Sequence, residues 1–181
     1  MTRDEAWELV TAKVKNKNLQ KHMLASEAIM RALARRLSED EEKWALTGLI
    51  HDIDYEETVK DPERHGLVSA EFLEKKGLDE DIVHAIRAHN EHSERETPLD
   101  YGLYATDPLT GLIVAAALIH PEKKLAKIDK NFVLNRFKEK SFARGASRES
   151  IKTCEKLGLT LEEFVQTGLE AMQEISEVLG L

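Results

Sequence analysis

The sequence predicts an all-α fold, and three observations carry that expectation. Nine glycines and four prolines make only 13 of the 181 residues, about 7% where average usage would be about 12%, so the turns that an all-β chain needs are scarce. Helix-start signals, a Ser or Thr followed three residues later by Glu, recur along the chain. No segment shows the strict alternation of a half-buried strand.

The first element, a helix over 3–15, opens on Thr2-x-x-Glu5. A second over 19–37 carries the apolar stripe Leu19, Met23, Ala25, Ile29, Met30, Leu33 and Leu37, at helical spacings of three, four and seven. Ser38-x-x-Glu41 opens a third over 40–52. A helix over 63–76 ends on Lys75-Lys76-Gly77, and one over 147–157 on Lys156 and Gly158, with cations in the last turn and glycine just beyond. Ile82, Ala85 and Ile86 set the buried face of a helix over 79–89, and the most hydrophobic helix covers 99–119. A helix over 129–138 follows. Thr160-x-x-Glu163 opens the last, over 160–179. Its stripe, Leu157, Leu161, Phe164, Val165, Leu169 and Met172, either completes the core or seats a second subunit as a homodimer. The loops at 53–62 and 90–98 are dense in acids and polar residues.

A chain of this length buries one substantial core. Residues 1–125 are expected to form the functional domain, with 126–181 a C-terminal helical extension packed on the same core. The 34 acids against 26 bases give a net charge of −8, which offers no electrostatic footprint for a nucleic acid polymer. The longest uncharged run, Pro108 to Pro121, has 14 residues, short of the roughly 20 that span a bilayer. With a charged N-terminus and no signal-peptide core, the expectation is a soluble cytoplasmic protein with no membrane partner. The lone Cys154 reads as a small buried residue. Locally, 123–148 is basic, either a solvated face or a rim that attracts phosphate-bearing substrates.

Seven histidines on this acidic background are the compositional oddity, and helical phase sorts them. His22 falls on the apolar stripe of 19–37, His51 and Asp52 follow Trp44 and Ala45 by seven residues, and His89 shares a face with Ile82, Ala85 and Ile86. His84 points away from that face and reads as a surface residue. Asp107 lies inside the most hydrophobic helix. Asp107-Pro108 could alternatively be an N-cap and first turn, and His22 alone could be a satisfied core histidine. Together, however, His22, His51, Asp52, His89 and Asp107 put imidazoles and carboxylates into one core with almost no cation to pair them, Arg87 excepted. Buried carboxylates need a partner. A divalent cation supplies one, and His/Asp ligation suits Mn, Fe, Co, Ni, Zn or Mg.

In this order, His22, the doublet His51-Asp52 in Gly48-Leu-Ile-His-Asp-Ile-Asp, and the distant Asp107 resemble the signature of the HD-domain superfamily of metal-dependent phosphohydrolases. The resemblance covers about residues 15–120. It implies a helical bundle of about five core helices with a C-terminal helical flank. His65, in Arg64-His-Gly-Leu, and His89 resemble the second-metal ligands of binuclear members, where the doublet Asp bridges. The resemblance thus implies one or two divalent ions per chain, with Asp52 bridging, His22, His51 and Asp107 at one site, and His65 and His89 at the other. His92 is a weaker candidate there, and His120 has no counterpart. The doublet continues Ile53-Asp54-Tyr55-Glu56 instead of the commoner Ile-Gly-Lys, so the lysine that would contact phosphate is missing. Asp54 or Glu56 could orient water or support a ligand.

The activity so implied is hydrolysis of a small phosphate ester, with a nucleotide as the expected substrate, by metal-activated water. Asp52, Asp54 and Arg87 are the catalytic candidates, and Arg64, Arg87 and Lys60, with Arg95, the candidates for holding phosphoryl charge. The same ligand pattern also resembles di-iron HD-domain oxygenases. A non-catalytic protein that binds nucleotide or metal and signals through a partner is the third alternative.

Overall fold

The computed structural model describes residues 1–181 as helices and connecting turns, without a strand. The α-helices are α1 (Arg3–Lys13), α2 (Lys17–Leu37), α3 (Glu41–Ile50), α4 (Tyr55–Thr58), α5 (Leu67–Lys75), α6 (Glu80–His89), α7 (Pro98–Ile119), α8 (Lys130–Lys138), α9 (Arg148–Lys152), α10 (Leu161–Glu174) and α11 (Ser176–Leu179), and 3₁₀ turns occupy Pro62–Arg64, Leu125–Lys127 and Thr153–Leu157. Helices α2 and α7 are the hubs of the bundle: α2 packs on α3, α7 and α10, while α7 also carries α6, α8 and α9. One core of 41 buried residues runs from Ala6 to Leu179 and takes in both the N-terminal helices and the C-terminal ones.

The capping boxes at Thr2 and Thr160 form as expected. Ser38 does not open a helix. It ends α2 in the left-handed conformation at φ 60, and Asp40 caps α3 by accepting from the Glu42 and Lys43 amides at 3.0 Å. A reversal this tight needs one left-handed residue before the next cap; Ser38 takes that place, which leaves Asp40 to cap α3. Nor is Asp107-Pro108 a helix start: α7 begins at Pro98 on a capping box of Thr97 with Asp100, and Pro108 lies inside it. Lacking an N–H, Pro108 leaves the Tyr104 carbonyl without its helical partner.

Three further elements differ from expectation. The helix over 63–76 is divided, because His65 is extended and Gly66 sits at φ 83 before α5 begins. The span 147–157 passes from α9 into a 3₁₀ turn, and 160–179 breaks at Ile175 between α10 and α11. The loop at 53–62 contains the short α4.

Gly48 marks the closest approach of α3 to α2, where an added Cβ would stand 2.6 Å from the Ser26 carbonyl oxygen. By length and composition α7 could cross a bilayer, yet 56% of its apolar stretch is buried within the bundle, as befits a central core helix.

Candidate metal centre

Four elements deliver the candidate ligands to one place. His22 projects from the first half of α2, His51 and Asp52 follow the end of α3, His89 is the last residue of α6, and Asp107 lies mid-way along α7. His65 arrives from the divided segment before α5. There the left-handed Gly66 packs so close that a Cβ would lie 3.0 Å from the Ile86 carbonyl oxygen and 3.3 Å from His89 Cε1. Only glycine fits both that φ and that space.

Asp52 is the centre of the cluster. Its Oδ1 is approached by the Nε2 atoms of His51 (3.3 Å), His65 (3.2 Å) and His89 (3.4 Å), and its Oδ2 by His22 Nε2 (3.5 Å). Asp107 Oδ1 lies 3.2 Å from His22 Nε2 and 3.9 Å from His51 Nε2. The carboxylate of Asp52 therefore stands between two sets, His22 with His51 and Asp107 on one side, and His65 with His89 on the other.

The opposite ring nitrogens settle the tautomers. His51 Nδ1 donates to the Gly48 carbonyl at 2.9 Å and His89 Nδ1 to the Ile86 carbonyl at 2.5 Å. His22 Nδ1 donates to Thr110 Oγ1 at 2.8 Å, since that hydroxyl spends its own proton on the Asp107 carbonyl. His65 Nδ1 donates to Asp54 Oδ1 at 2.9 Å. With all four Nδ1 atoms committed, the Nε2 atoms present lone pairs inward, as metal-ligating histidines do. Four inward lone pairs and two carboxylates repel one another unless positive charge sits among them.

Two buried atoms test whether a cation fits. Asp52 Oδ1 and His89 Nε2 are sealed from solvent and have no hydrogen-bond partner, an arrangement that costs several kcal/mol if nothing compensates. A cation would satisfy both, and the mixed imidazole and carboxylate donors suit a first-row transition metal. Without one, protons carry the positive charge. Burial pushes the His22 and His65 imidazoles down, but pairing with Asp107 and Asp52 raises His22, and pairing with Asp52 and Asp54 raises His65, each to about 10. Burial holds His51 at about 4. Burial likewise pushes the Asp52 carboxyl up, and the surrounding imidazoles outweigh it, leaving Asp52 well below the ordinary carboxylate value.

Asp54 acts inward, not toward substrate. Both its oxygens are taken, Oδ1 by His65 Nδ1 and Oδ2 by the amides of Gly66 (2.9 Å) and Ser69 (2.8 Å). Glu56 is likewise occupied, accepting from the Lys15 and Asn16 amides at 3.0 and 2.6 Å and tying the α1–α2 link to the loop. His92 does not face the cluster: its Nε2, like Asn90 Nδ2, bonds the His65 carbonyl, at 2.8 and 2.9 Å. His84 is not a free surface residue, for its Nδ1 meets buried Asp100 at 3.1 Å. His120 packs edge-on against Phe132.

The candidate phosphate-holding cations are not gathered at the cluster. Arg87 pairs with Glu74 at 2.8 Å on the outer face of α6, and Lys60 and Arg64 are exposed on the stretch before His65. Arg95 stacks over the Tyr104 ring at 3.8 Å, beside a cleft that Tyr104 lines with His89 and Asp107. Sequence reasoning missed Thr110, Ser69 and Asn90. Thr110 carried a signal, a hydroxyl three residues after Asp107 on the same helix face.

The family described as HD domain matches residues 19–130, more than half the chain. Ribonuclease Y of Nitratidesulfovibrio vulgaris (strain DP4) is 35% identical over 100 residues, covering 53% of this chain and 18% of the relative. Ribonuclease Y of Lawsonia intracellularis is 32% identical over 102 residues, covering 56% and 20%. The match thus spans about a fifth of the length of these relatives. No solved structure matches the chain significantly.

Proposed function

The chain belongs to the HD-domain family, and from that premise we propose that it is a metal-dependent phosphohydrolase acting on a small phosphate ester, in the first place a nucleotide. The observation that carries the reading is the buried, unpartnered Oδ1 of Asp52 with three imidazole Nε2 atoms around it. We assign His22, His51 and Asp107 to one divalent ion, His65 and His89 to a second, and Asp52 to both. Bound there, the ions would lower the pKa of a water and neutralise charge on the phosphoryl oxygens.

The chain's own residues do the rest. Thr110, Asp54 and the Gly48 and Ile86 carbonyls fix the four rings by holding their Nδ1 protons, so that no imidazole can turn and offer a proton in place of a lone pair. His51 and Asp52 are shut away from solvent, whereas the Asp107 side chain is 39% exposed while its Oδ1 reaches His22. Substrate therefore approaches past Asp107. Two clefts of about 320 and 310 Å³ flank that side chain, one reaching His22 and the other His89. Their size lies at the lower end of small-molecule sites, which supports an ester of nucleotide dimensions.

Hydrolysis of RNA phosphodiesters is the second reading, favoured by the similarity to the Ribonuclease Y proteins. One screen separates them: protein loaded with Mn, Fe or Co is offered nucleoside mono-, di- and triphosphates, dinucleotides and short RNA, with O₂ uptake recorded. Phosphate release from nucleotides that Asp52→Ala abolishes supports the first reading. Cleavage of RNA alone supports the second, O₂ consumption without hydrolysis supports a di-iron oxygenase, and silence on all three removes the catalytic reading.

A further inference from the structure

Between α8 and α9 the chain forms no regular structure, yet it is tightly organised around a single guanidinium. Arg148 donates from Nε to the Phe137 carbonyl (3.2 Å), from Nη1 to those of Ala143 (2.8 Å) and Ala146 (2.7 Å), and from Nη2 to those of Arg136 (3.3 Å), Glu139 (3.3 Å) and Phe142 (2.6 Å). Removal from water among these carbonyls lowers its pKa, though a guanidinium in a protein stays charged. Four carbonyls of the loop and two of the last turn of α8 converge on one cation, which ties the loop to the end of that helix. Ala143 is held at φ 44, a left-handed conformation that alanine does not choose unaided, so the loop's shape is imposed by its anchor.

That shape matters because of where the loop lies. Ala143, Gly145 and Ala146 line the cleft that contains His22 and Asp107. Gly145 and Ser147 line the one that contains His89 and Asp107. Gly145 borders both, and a Cβ added there would meet nothing within 4 Å.

Building on the phosphohydrolase reading, we propose that residues 139–147 form the wall that determines which ester reaches the metal centre. Gly145 leaves the room taken by the non-phosphoryl part of the substrate, and Arg148 is the positioning residue that holds the wall in place. A side chain at 145 fills space that the fold does not use, so a larger residue there changes the cleft and spares the core. Loss of Arg148 frees the carbonyls and loosens the wall without touching a ligand.

The test compares wild type, Gly145→Leu, Arg148→Met and Arg148→Lys, each loaded with Mn, for metal content and for calorimetric affinity toward inorganic phosphate and nucleoside monophosphates. All four should hold the same amount of metal and bind inorganic phosphate alike. Gly145→Leu should bind nucleotide at least about tenfold more weakly, the scale on which pocket volume discriminates. Arg148→Met should lose the same selectivity, with hydrogen exchange at 139–147 faster and the core amides unchanged, and Arg148→Lys should recover part of it. Nucleotide binding by Gly145→Leu equal to wild type overturns the wall. Unchanged exchange at 139–147 in Arg148→Met overturns the role of Arg148. Wild type that binds metal but neither phosphate nor nucleotide brings down the phosphohydrolase reading itself, and the wall with it.

Discussion

If two ions bind as proposed, replacing Asp54 with Asn should weaken the one assigned to His65 and His89. Asp54 touches no other member of the cluster than His65, whose Nδ1 proton it accepts at 2.9 Å, while its second oxygen accepts the Gly66 and Ser69 amides. An amide has one oxygen for these two tasks. If the oxygen stays on the Gly66 and Ser69 amides, the NH₂ group faces His65 Nδ1 and drives the proton to Nε2, the atom that must offer a lone pair to the metal. If the amide turns over, His65 is held but the start of α5 loses its cap. Loss of a partner in this position typically weakens metal binding about 10- to 100-fold, or about 1.4 to 2.8 kcal/mol at about 1.4 kcal/mol per tenfold. The lost charge-assisted bond adds about 1.5 to 3 kcal/mol to the cost in stability. Competitive titration with Mn should therefore show one ion bound as in wild type and the second weakened by that factor. Two ions bound with wild-type affinity would refute the claim that Asp54 fixes the ring of His65.

Other expectations follow from the same contacts. Asp52→Ala should abolish both ions, whereas His89→Ala should spare the one held by His22, His51 and Asp107; elemental analysis distinguishes the two. In chelator-treated protein, His22 and His65 have folded pKa values of about 10 against an ordinary 6.5, so their contribution to stability is complete below about pH 6.5 and is lost as pH rises toward 10. Thermal unfolding should show that alkaline decline without metal and a flatter profile with it, and identical profiles would contradict the assignment. Cys154 is buried, and burial pushes its thiol up to about 11, so thiol reagents at pH 8 should label it only after unfolding. Gly48→Ala forces a Cβ to within 2.6 Å of the Ser26 carbonyl oxygen and should destabilise the chain by about 1 to 3 kcal/mol in denaturant titration.

The all-helical class and the inward set of histidines were legible because both depend on local periodicity: a polar residue on an apolar stripe is visible without coordinates. His22 and His89 are of this kind. What the sequence does not display is which of two adjacent local signals prevails. Ser38 and Asp40 both look like helix starts, and the need for a left-handed residue at the end of α2 assigns them opposite tasks. Asp107-Pro108 has the form of an N-cap, but the capping box at Thr97 begins the helix first and tertiary packing carries it through the proline. Contacts made through loops and chain reversals leave no periodic trace at all. The bond from His65 to Asp54, the hold of Asn90 and His92 on the His65 carbonyl, and the carbonyl ring around Arg148 join residues whose neighbourhood only the fold creates. Asp52, Asp54 and Asp100 are buried, so the net charge of the chain overstates the acidity of its outer surface.

One buried carboxylate, that of Asp52, is proposed to join two cation sites. Elemental analysis of protein purified without added metal, then stripped and reloaded with Mn, decides the matter. About two ions per chain are expected in wild type and none in Asp52→Ala. Wild type that retains one ion or none after reloading, or Asp52→Ala that retains two, would contradict it.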